Sequence, residues 1–252
     1  KSAQILRSWP SGIAVAASIF FAIAVIPNLF SEPEPLRYIT AVGESTSVSL
    51  ADGSVITLNT NTRLEVLLSE KQRRITLEHG EAFFEVAKDP NRPFIVNNCS
   101  SEVQAIGTAF SVRCNLGSSS VAVTEGIVQV TDSIPNRSQE TSQMLTVGEG
   151  ILLSDTSGLT SPNKLNVDRI ATWRHGELIF NNTLLSDVLN EINRYSNMPV
   201  GLGSPELRNL RVTGRFGIED RELLLKALKR SLSLSSETSE DGTVRLVPLN
   251  AG

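Results

Sequence analysis

Short alternating runs of apolar and polar residues, broken by Gly, Asn and Asp, dominate the chain from Tyr38 to about Ser154. In "SVSLADGSVITLN" (47–59), a three-residue turn over 51–53 with Gly53 in the left-handed conformation would place alternate apolar residues on one face. Those residues are Val48, Leu50, Ile56 and Leu58. Many short strands with Gly corners predict an all-β region over 38–154, built as a sandwich or an irregular solenoid.

Helical periodicity begins only after a polar stretch, 155–172, which lacks a sustained pattern and is predicted to be a linker. Beyond it, "TLLSDVLNEINRYSN" places four apolar or aromatic residues on one helical face, with Thr183 as candidate N-cap. A second helix is predicted in "DRELLLKALKRSL", with Asp220 as its N-cap. With the intervening strands and a final hairpin, residues 173–250 predict a small α+β region in the order β-α-β-β-α-β-β.

An uncharged apolar run from Trp9 to Phe30 forms the third pattern. As a helix it would span about 33 Å, close to one bilayer core. A signal peptide has a shorter apolar core, and a buried soluble helix usually keeps a polar face. We therefore expect a transmembrane helix with a short cytoplasmic flank over 1–31, followed by an extended tether over 32–37. Lys1 and Arg7 place the N-terminus in the cytoplasm and the remaining chain outside the membrane.

Composition and charge narrow the range of partners. The chain is 40% hydrophobic and 20% charged, an ordinary globular composition, and its net charge is −4. A chain without basic excess cannot neutralise many phosphates, so no nucleic-acid partner is expected. The densest basic cluster is Lys71, Arg73 and Arg74. We interpret it as a solvated strand edge that discourages association between sheets.

The two cysteines, Cys99 and Cys114, each follow a short alternating run. Outside the cytoplasm they could form a disulfide if adjacent strand ends bring them together. Two unrelated buried thiols are an equally good interpretation. Neither a second Cys pair nor a His cluster accompanies them, so no metal site is expected.

Motifs for catalysis on a separate substrate are absent from the sequence: there is no G-x-S-x-G, Walker loop or H-E-x-x-H, and no cofactor is expected. One stretch, "AIGTAFSV" (105–112), could act on itself, because Gly107 directly precedes Thr108. A Thr hydroxyl can attack the preceding carbonyl to give an ester that water opens, and Gly tolerates the distorted backbone this needs. The alternative is that Gly bends a strand and Thr continues it.

The α+β region offers a way to bind a partner, because an open sheet has an edge to which another protein can add a strand. The candidate edges are Leu210–Phe216 and Thr243–Val247. Their alternation leaves Arg211, Thr213, Arg215 and Arg245 available to a partner. The alternative is ordinary strands with charged outer faces.

Several blocks in the same order resemble the FecR family. In the β-rich part they are "LADGSVITLNTNTRLEV" (50–66), "RRITLEHGEAFFEVAKDPNRPFIV" (73–96), "VQAIGTAFSV" (103–112) and "VAVTEGIVQV" (121–130). In the α+β part they are "FNNTLLSDVLNEINRYS" (180–196), "LRVTGRF" (210–216) and "LLKALKRSLSLS" (224–235). The latter part also resembles the secretin and TonB short N-terminal (STN) domain. The likeness covers nearly all of 44–249.

The resemblance implies a regulator in the inner membrane of a Gram-negative bacterium, with its body in the periplasm. FecR-like proteins read the state of a TonB-dependent outer-membrane transporter, commonly one for ferric siderophores, and control an extracytoplasmic-function sigma factor. The implied partners are the transporter's signalling domain and a sigma factor. Only about seven residues precede the apolar run, so we expect the sigma-binding region to lie outside this chain.

The family resemblance also bears on Gly107 and Thr108, because some FecR-like members are nicked at the matching Gly-Thr bond. Self-cleavage between these two residues is therefore an expectation for this chain. An alternative to the regulatory role is a structural periplasmic module that docks onto secretin-type or outer-membrane assemblies without regulating transcription.

Overall fold

The computed structural model describes residues 34–133, 141–239 and 243–249 of the 252-residue chain. The predicted transmembrane helix and its flank (1–31) lie outside these residues. Within the described ranges, no helix is long and apolar enough to cross a bilayer.

Fourteen short strands form what we call the β region, residues 36–164. Their bounds are β1 Leu36–Ile39, β2 Thr46–Ser49, β3 Val55–Leu58, β4 Arg63–Leu68, β5 Arg73–Glu85, β6 Phe94–Asn97, β7 Ser101–Ala105, β8 Ala109–Asn115, β9 Ser118–Glu125, β10 Ile127–Asp132, β11 Ser142–Thr146, β12 Glu149–Ser154, β13 Gly158–Leu159 and β14 Asn163–Lys164. The first strand begins at Leu36. The last two residues of the predicted tether, Leu36 and Arg37, therefore belong to β1, where they pair with β4.

The long strand β5 is shared by two halves of the β region. Its first half pairs with β4 and β6, whereas its second half pairs with β3 and β8. Gly80 lies at the change of partners with φ +93°, and a Cβ atom at that position would overlap Thr62. Only glycine adopts this backbone conformation without strain, so Gly80 allows the strand to serve both halves.

One apolar core is filled from both halves of the β region. Phe84 from the second half of β5 lies between Phe94 of β6 and Phe110 of β8, at ring-centroid distances of 5.9 and 5.2 Å. Buried residues from strands of both halves join the same cluster. This packing agrees with the sandwich form of the predicted all-β fold rather than with a solenoid.

The first predicted turn is confirmed. Val48 pairs with Ile56, and the amide of Leu50 donates to the Ser54 carbonyl at 2.8 Å, so three residues lie between them. Gly53 has φ +86°, the left-handed conformation that this turn requires. Leu50 and Ile56 are buried as expected.

The predicted solvated edge at 71–74 is wrong for Arg73, which is fully buried. Its guanidinium donates to the Asp52 carboxylate at 2.9 Å, and to the carbonyls of Ala87 at 2.8 Å and Arg92 at 3.0 Å. Residue 73 faces inward in β5, and these partners satisfy its donors there. The Arg73 cluster therefore fastens the 51–53 turn and the 87–92 loop to β5.

Part of the predicted linker joins the sheet. The strands β13 and β14 both pair with β12, and a short 3₁₀ helix follows at Val167–Arg169. Backbone hydrogen bonds to the free edge of β12 order a stretch whose polar side chains give no strand pattern. A second 3₁₀ helix, Thr172–His175, leads into the next region.

The last part of the chain, which we call the α+β region (177–248), follows the predicted element order. Its bounds are β15 Glu177–Leu184, α1 Leu185–Asn193, β16 Val200–Leu202, β17 Arg211–Gly217, α2 Arg221–Ser231, β18 Leu234–Thr238 and β19 Val244–Pro248, with a 3₁₀ helix at Pro205–Asn209. The strands form a two-stranded sheet, β15-β17, and a three-stranded sheet, β16-β19-β18. Both helices contribute buried leucines to a second apolar core.

The two helix starts differ in how well the sequence predicts them. Asp220 caps α2 as expected, accepting a hydrogen bond from the Leu223 amide at 3.3 Å. Thr183 does not cap α1, because it lies in β15 paired with Val212. The strand continues to Leu184, and the helix begins one residue later.

The predicted edge strand Thr243–Val247 is also wrong. Strand β19 lies in the middle of its sheet, antiparallel to β18 and parallel to β16. Arg245 is exposed on the face of this central strand, not on a free edge. A three-residue strand such as β16 carries too little pattern to predict a parallel partner.

Candidate functional site

A buried carboxylate, Glu81 on β5, joins the β region to the α+β region. It forms an ion pair with Arg194, just after α1, at 2.8 Å. It also accepts hydrogen bonds from Trp173 Nε1 at 2.9 Å, Asn59 Nδ2 at 3.0 Å and Ser111 Oγ at 3.4 Å. Four separated stretches of sequence therefore meet at one carboxylate, and its acceptor capacity is well used.

A second carboxylate, Glu191 on α1, extends this cluster. It lies 2.6 Å from Arg194 and 2.7 Å from Arg113 of β8. Burial alone would favour the neutral acid, but the charges of Arg194 and Arg113 outweigh it and lower the pKa of Glu191 below its ordinary value. Arg194 is itself desolvated, yet Glu81 and Glu191 together raise its pKa. Glu191 and Arg194 are thus held in their charged forms at neutral pH.

The backbone and side chains after α1 add neutral hydrogen bonds. Asn59 donates to the Tyr195 hydroxyl at 2.9 Å, and Thr60 Oγ1 donates to the Arg194 carbonyl at 3.1 Å. Burial is the largest cause that raises the pKa of Tyr195, followed by the charge of Glu191. Tyr195 therefore remains a neutral phenol throughout the physiological range.

Trp173 adds an apolar part to the contact. It is 6% exposed and packs with Phe83 and Ala171 in a small cluster separate from the two main cores. The Arg174 guanidinium lies 3.6 Å from the centroid of the Phe83 ring, in cation–π geometry. Burial lowers the pKa of Arg174, although the nearby Glu85 charge opposes the shift.

One face of β5 carries the centre of this contact. Glu81, Phe83 and Glu85 are two residues apart, so their side chains share a face, while Ala82 and Phe84 point to the core. We call the assembly the junction; its members are Asn59, Glu81, Phe83, Arg113, Trp173, Arg174, Glu191, Arg194 and Tyr195. Its geometry suits mechanical coupling of two regions rather than bond-making chemistry.

The junction does not resemble a metal centre. In the parts of the chain that the structure describes, no group of three or more His, Cys, Asp or Glu could hold a metal ion. A cavity of about 370 Å³ lies beside Glu81 and is lined by Arg113, Lys164 and Arg169. Two of these cations are engaged elsewhere, Arg113 with Glu191 and Lys164 with Glu149.

The Gly107–Thr108 bond lies at another place, between β7 and β8. Gly107 has φ +64°, and Thr108 is 4% exposed. The Thr108 hydroxyl is buried without a hydrogen-bond partner among the described residues. A cavity of about 310 Å³ at this bond is also lined by Glu85, Lys88 and Glu125.

The three predicted docking residues on β17 lie together on its exposed side, and each contacts β15. Arg211 donates to the Asn182 carbonyl at 2.8 Å, and Thr213 accepts from the Asn182 amide at 2.9 Å. Arg215 lies 3.0 Å from Glu177. Arg245 belongs to the other sheet, so the structure does not bring all four residues together.

The two cysteines are joined in the structure. Cys99 follows β6, Cys114 lies in β8, and the disulfide between them has a Cα–Cα distance of 5.8 Å. The bond links the loop between β6 and β7 to β8, a strand that is adjacent to neither of them in the hydrogen-bonded order.

Glu81 and Arg194 lie in stretches that resemble the FecR family, but neither residue was predicted to have a role. A signal was available for Glu81, since this charged residue directly precedes "AFF", a run that is apolar on both faces of the strand. No comparable signal exists for Arg194 in a polar "NRYS" stretch, because the pairing depends on how two distant segments meet.

Comparisons with known proteins agree with this architecture. The model of the family described as FecR protein matches residues 37–129, and that described as FecR, C-terminal matches residues 177–246. The fold and the junction define a two-part protein in which a β sandwich is fastened to a small α+β region. The chain belongs to the FecR family, as the sequence blocks suggested.

Two solved structures are similar to most of the chain. They are crystal structures, at 2.50 and 1.65 Å resolution, of a candidate anti-sigma factor from Parabacteroides distasonis. Each is 25% identical with a TM-score of 0.72; they cover 86% and 85% of this chain, and the match covers 100% of theirs. A comparison with curated proteins found no match.

Proposed function

We propose that this chain is the membrane and periplasmic part of a FecR-type signal transducer. It relays the state of a TonB-dependent outer-membrane transporter, of the iron-siderophore type, to an extracytoplasmic-function sigma factor. Membership of the FecR family and the likeness to a candidate anti-sigma factor support a regulatory, non-enzymatic role. The apolar run Trp9–Phe30 supports a single-pass anchor in the inner membrane.

The junction is the observation that carries this proposal. A transducer needs the element that receives a partner to be coupled to the element nearer the membrane. Here Arg194 and Tyr195, from the α+β region, bind Glu81 and Asn59 of the β region through buried polar contacts. Binding at the α+β region that moves the end of α1 would therefore change the environment of β5.

The free edge of β17 is our candidate for the site at which a strand of the transporter docks. In the two-stranded sheet, β17 has one partner, β15, among the described strands. A strand from the transporter's signalling domain could pair along the other edge, where Arg211, Thr213 and Arg215 alternate outward. Resemblance of the α+β region to STN domains supports the same partner, because the transporter's signalling domain has that fold class.

The test uses the full chain and the purified N-terminal signalling domain of a TonB-dependent transporter from the same organism. Proline is placed separately at Thr213 and at Gly214. Adjacent peptide groups point to opposite edges of a strand, so only one of these variants removes a donor from the free edge. We expect that variant to fold and to lose binding in a pull-down, while wild type binds.

Two results would contradict the docking proposal: no binding by the wild-type chain, or unchanged binding by both folded proline variants. A sigma-dependent reporter separates the two classes of function. Binding without any change in reporter activity would favour the structural docking module.

A second candidate activity is self-cleavage between Gly107 and Thr108, favoured by the buried Thr108 hydroxyl, which has no hydrogen-bond partner in the described part of the chain. The hydroxyl oxygen would attack the Gly107 carbonyl carbon, the C–N bond would break, and the amine of Thr108 would take up the hydroxyl proton. Water would then hydrolyse the ester to give a Gly107 carboxylate and restore the Thr108 hydroxyl. The two pieces would remain associated, because β5 pairs with β8 and β7 pairs with β10.

Mass spectrometry of the purified chain under denaturing conditions tests this step. We expect two fragments that meet at 107–108 in wild type, and one intact chain in the Thr108→Ala variant. Thr108→Ser keeps a hydroxyl and should still cleave. An intact wild-type chain after prolonged incubation would remove the idea.

A further inference from the structure

The three-stranded sheet of the α+β region has an edge beside a cleft. Among the described strands, β16 has β19 as its single partner. A cleft of about 580 Å³ is lined by α1, by β16 and by the 203–208 segment that follows it. Neither β18 nor β19 is among the lining elements, so the cleft lies on the side of β16 that faces away from its partner strand. The residues that line the cleft include Leu189, Val200, Leu202 and Arg208.

The peptide groups of β16 point alternately toward β19 and toward this cleft. The amide of Gly203 donates to the Leu246 carbonyl at 2.7 Å, so residues 201 and 203 face β19. Val200 and Leu202, one residue away in each direction, therefore direct their N–H and C=O groups to the other side. That side carries the donors and acceptors a further strand would use.

At one of these two positions, Val200, a side chain already forms the hydrogen bonds that an added strand would form. Asn193, at the end of α1, donates from Nδ2 to the Val200 carbonyl at 2.9 Å. The Val200 amide donates back to Asn193 Oδ1 at 2.8 Å. A primary amide that both donates and accepts in this way matches the bonding of one peptide unit. Leu202 is the next position along the same edge, and it opens onto the cleft.

The walls of the cleft indicate what kind of segment would fit. Leu189 of α1 is buried at its floor and gives an apolar surface for one side chain. Arg208 is exposed at the rim and forms no ion pair within the described residues. A carboxylate is the group that a guanidinium binds most strongly, often through two hydrogen bonds.

We propose that this cleft binds an extended segment of a partner protein by strand addition to β16, with an acidic side chain of that segment paired to Arg208. Main-chain hydrogen bonds at Leu202 supply affinity, and the pockets at Leu189 and Arg208 supply selectivity. This inference goes beyond the proposed function, because the β17 edge belongs to the other sheet and need not be occupied by the same segment.

Nuclear magnetic resonance on the ¹⁵N-labelled full chain in detergent gives the first test. The probe is a seven-residue peptide of alternating Val and Thr with one central Glu. We expect amide shifts in the 201–204 stretch and at Leu189, with β17 unaffected. The absence of shifts at millimolar peptide, or shifts confined to β17, would overturn the inference.

Fluorescence anisotropy with the labelled peptide gives the second test. Arg208→Glu should weaken binding about tenfold, the loss expected for one charge-assisted pair. A peptide with Lys in place of Glu should recover affinity for Arg208→Glu and bind wild type poorly. Arg230→Glu, an exposed cation on α2, is the matched control and should leave the affinity unchanged.

Strand addition makes a specific demand on the peptide backbone. N-methylation of one set of alternate residues should abolish binding, because those amides face β16, whereas the other set should tolerate it. Equal affinity of both methylated peptides, or no effect of Arg208→Glu, would contradict this mode. The methylated peptides are tested on the wild-type protein, and recovery of binding by the Lys peptide requires a folded Arg208→Glu variant, so loss of folding cannot imitate a positive result.

Discussion

The β region and the α+β region hold themselves together in different ways. Among the described residues, the β region has 23 buried apolar side chains in one core, while the α+β region has 13. The β region also has a disulfide and the buried Arg73 cluster. A core as small as that of the α+β region gives only about 3–5 kcal/mol of stability by itself. The difference suggests that the smaller region relies on the junction.

The two buried arginines sharpen this contrast. All partners of Arg73 come from the β region, so its cluster fastens loops within one region. Arg194 binds Glu81 in the other region as well as Glu191 in its own. Similar chemistry thus serves internal stability in one case and coupling in the other. Variants at each site should separate the two roles.

The largest effect is expected for Arg73→Ala. It would leave Asp52, which is also buried, without its counter-charge, and should lower the free energy of unfolding of the β region by about 3–5 kcal/mol. Denaturant unfolding followed by circular dichroism measures the loss. The control is Arg74→Ala, at a half-buried neighbour on the same strand. If Arg73→Ala lowered the free energy of unfolding by less than Arg74→Ala does, the Arg73 cluster would not be a main source of stability for the β region.

A smaller but more selective effect is expected for Glu81→Gln. It removes a charge that Arg194 and Trp173 both use, and should cost about 2–3 kcal/mol of coupling between the regions. With Trp9 replaced by Phe, Trp173 is the only tryptophan and reports on the junction. We expect its fluorescence to change at a lower denaturant concentration than the β-sheet signal.

The control for Glu81→Gln is Glu78→Gln, at an exposed position of the same strand, whose nearest cation, Arg63, is 3.9 Å away. That variant should unfold like wild type. Coincident transitions in Glu81→Gln, at the wild-type midpoint, would contradict a coupling role for the junction.

The next largest effect is expected for acidification, which should weaken the contacts of the junction. The folded-state pKa of Glu191 lies below its unfolded value, so its contribution is complete above about pH 4.3 and is lost as pH falls through the folded pKa. Trp173 fluorescence should report this step, and Glu191→Gln should abolish it. A step unchanged in that variant would assign the acid sensitivity to another group.

The smallest effect is expected for Tyr195→Phe, which removes the hydroxyl that accepts from Asn59. Loss of one neutral buried hydrogen bond should cost about 1 kcal/mol, seen only in the Trp173 signal. Tyr38→Phe in β1 serves as a control of the same chemistry. If the β-sheet signal of Tyr195→Phe shifted as much as the Trp173 signal, the hydrogen bond between Asn59 and Tyr195 would stabilise the β region itself.

Local patterns predicted much of the fold. The turn at 51–53 and the cap at Asp220 depend on neighbours in sequence, and both predictions are confirmed. The order of elements in the α+β region followed from periodicity alone. What failed depended on distant pairing: β19 lies inside its sheet because β16 joins it in parallel, and Arg73 is buried because two loops supply its acceptors.

The junction could not be predicted for the same reason. Its residues come from five separated stretches, and the local pattern of each stretch does not indicate which distant segment it contacts. Only Glu81 departs from its local pattern, and it lies next to the glycine that lets β5 change partners.

The position of Glu81 in β5 restricts insertions and deletions in this part of the sequence. Side chains of a strand alternate, so inserting one residue directly after Gly80 would send Glu81 and Phe83 into the sandwich and turn Phe84 outward. Single substitutions in this segment can be tolerated, but insertions or deletions that change the length of the strand cannot. We therefore expect insertions and deletions to be excluded from 80–85 while the neighbouring loops vary freely in size.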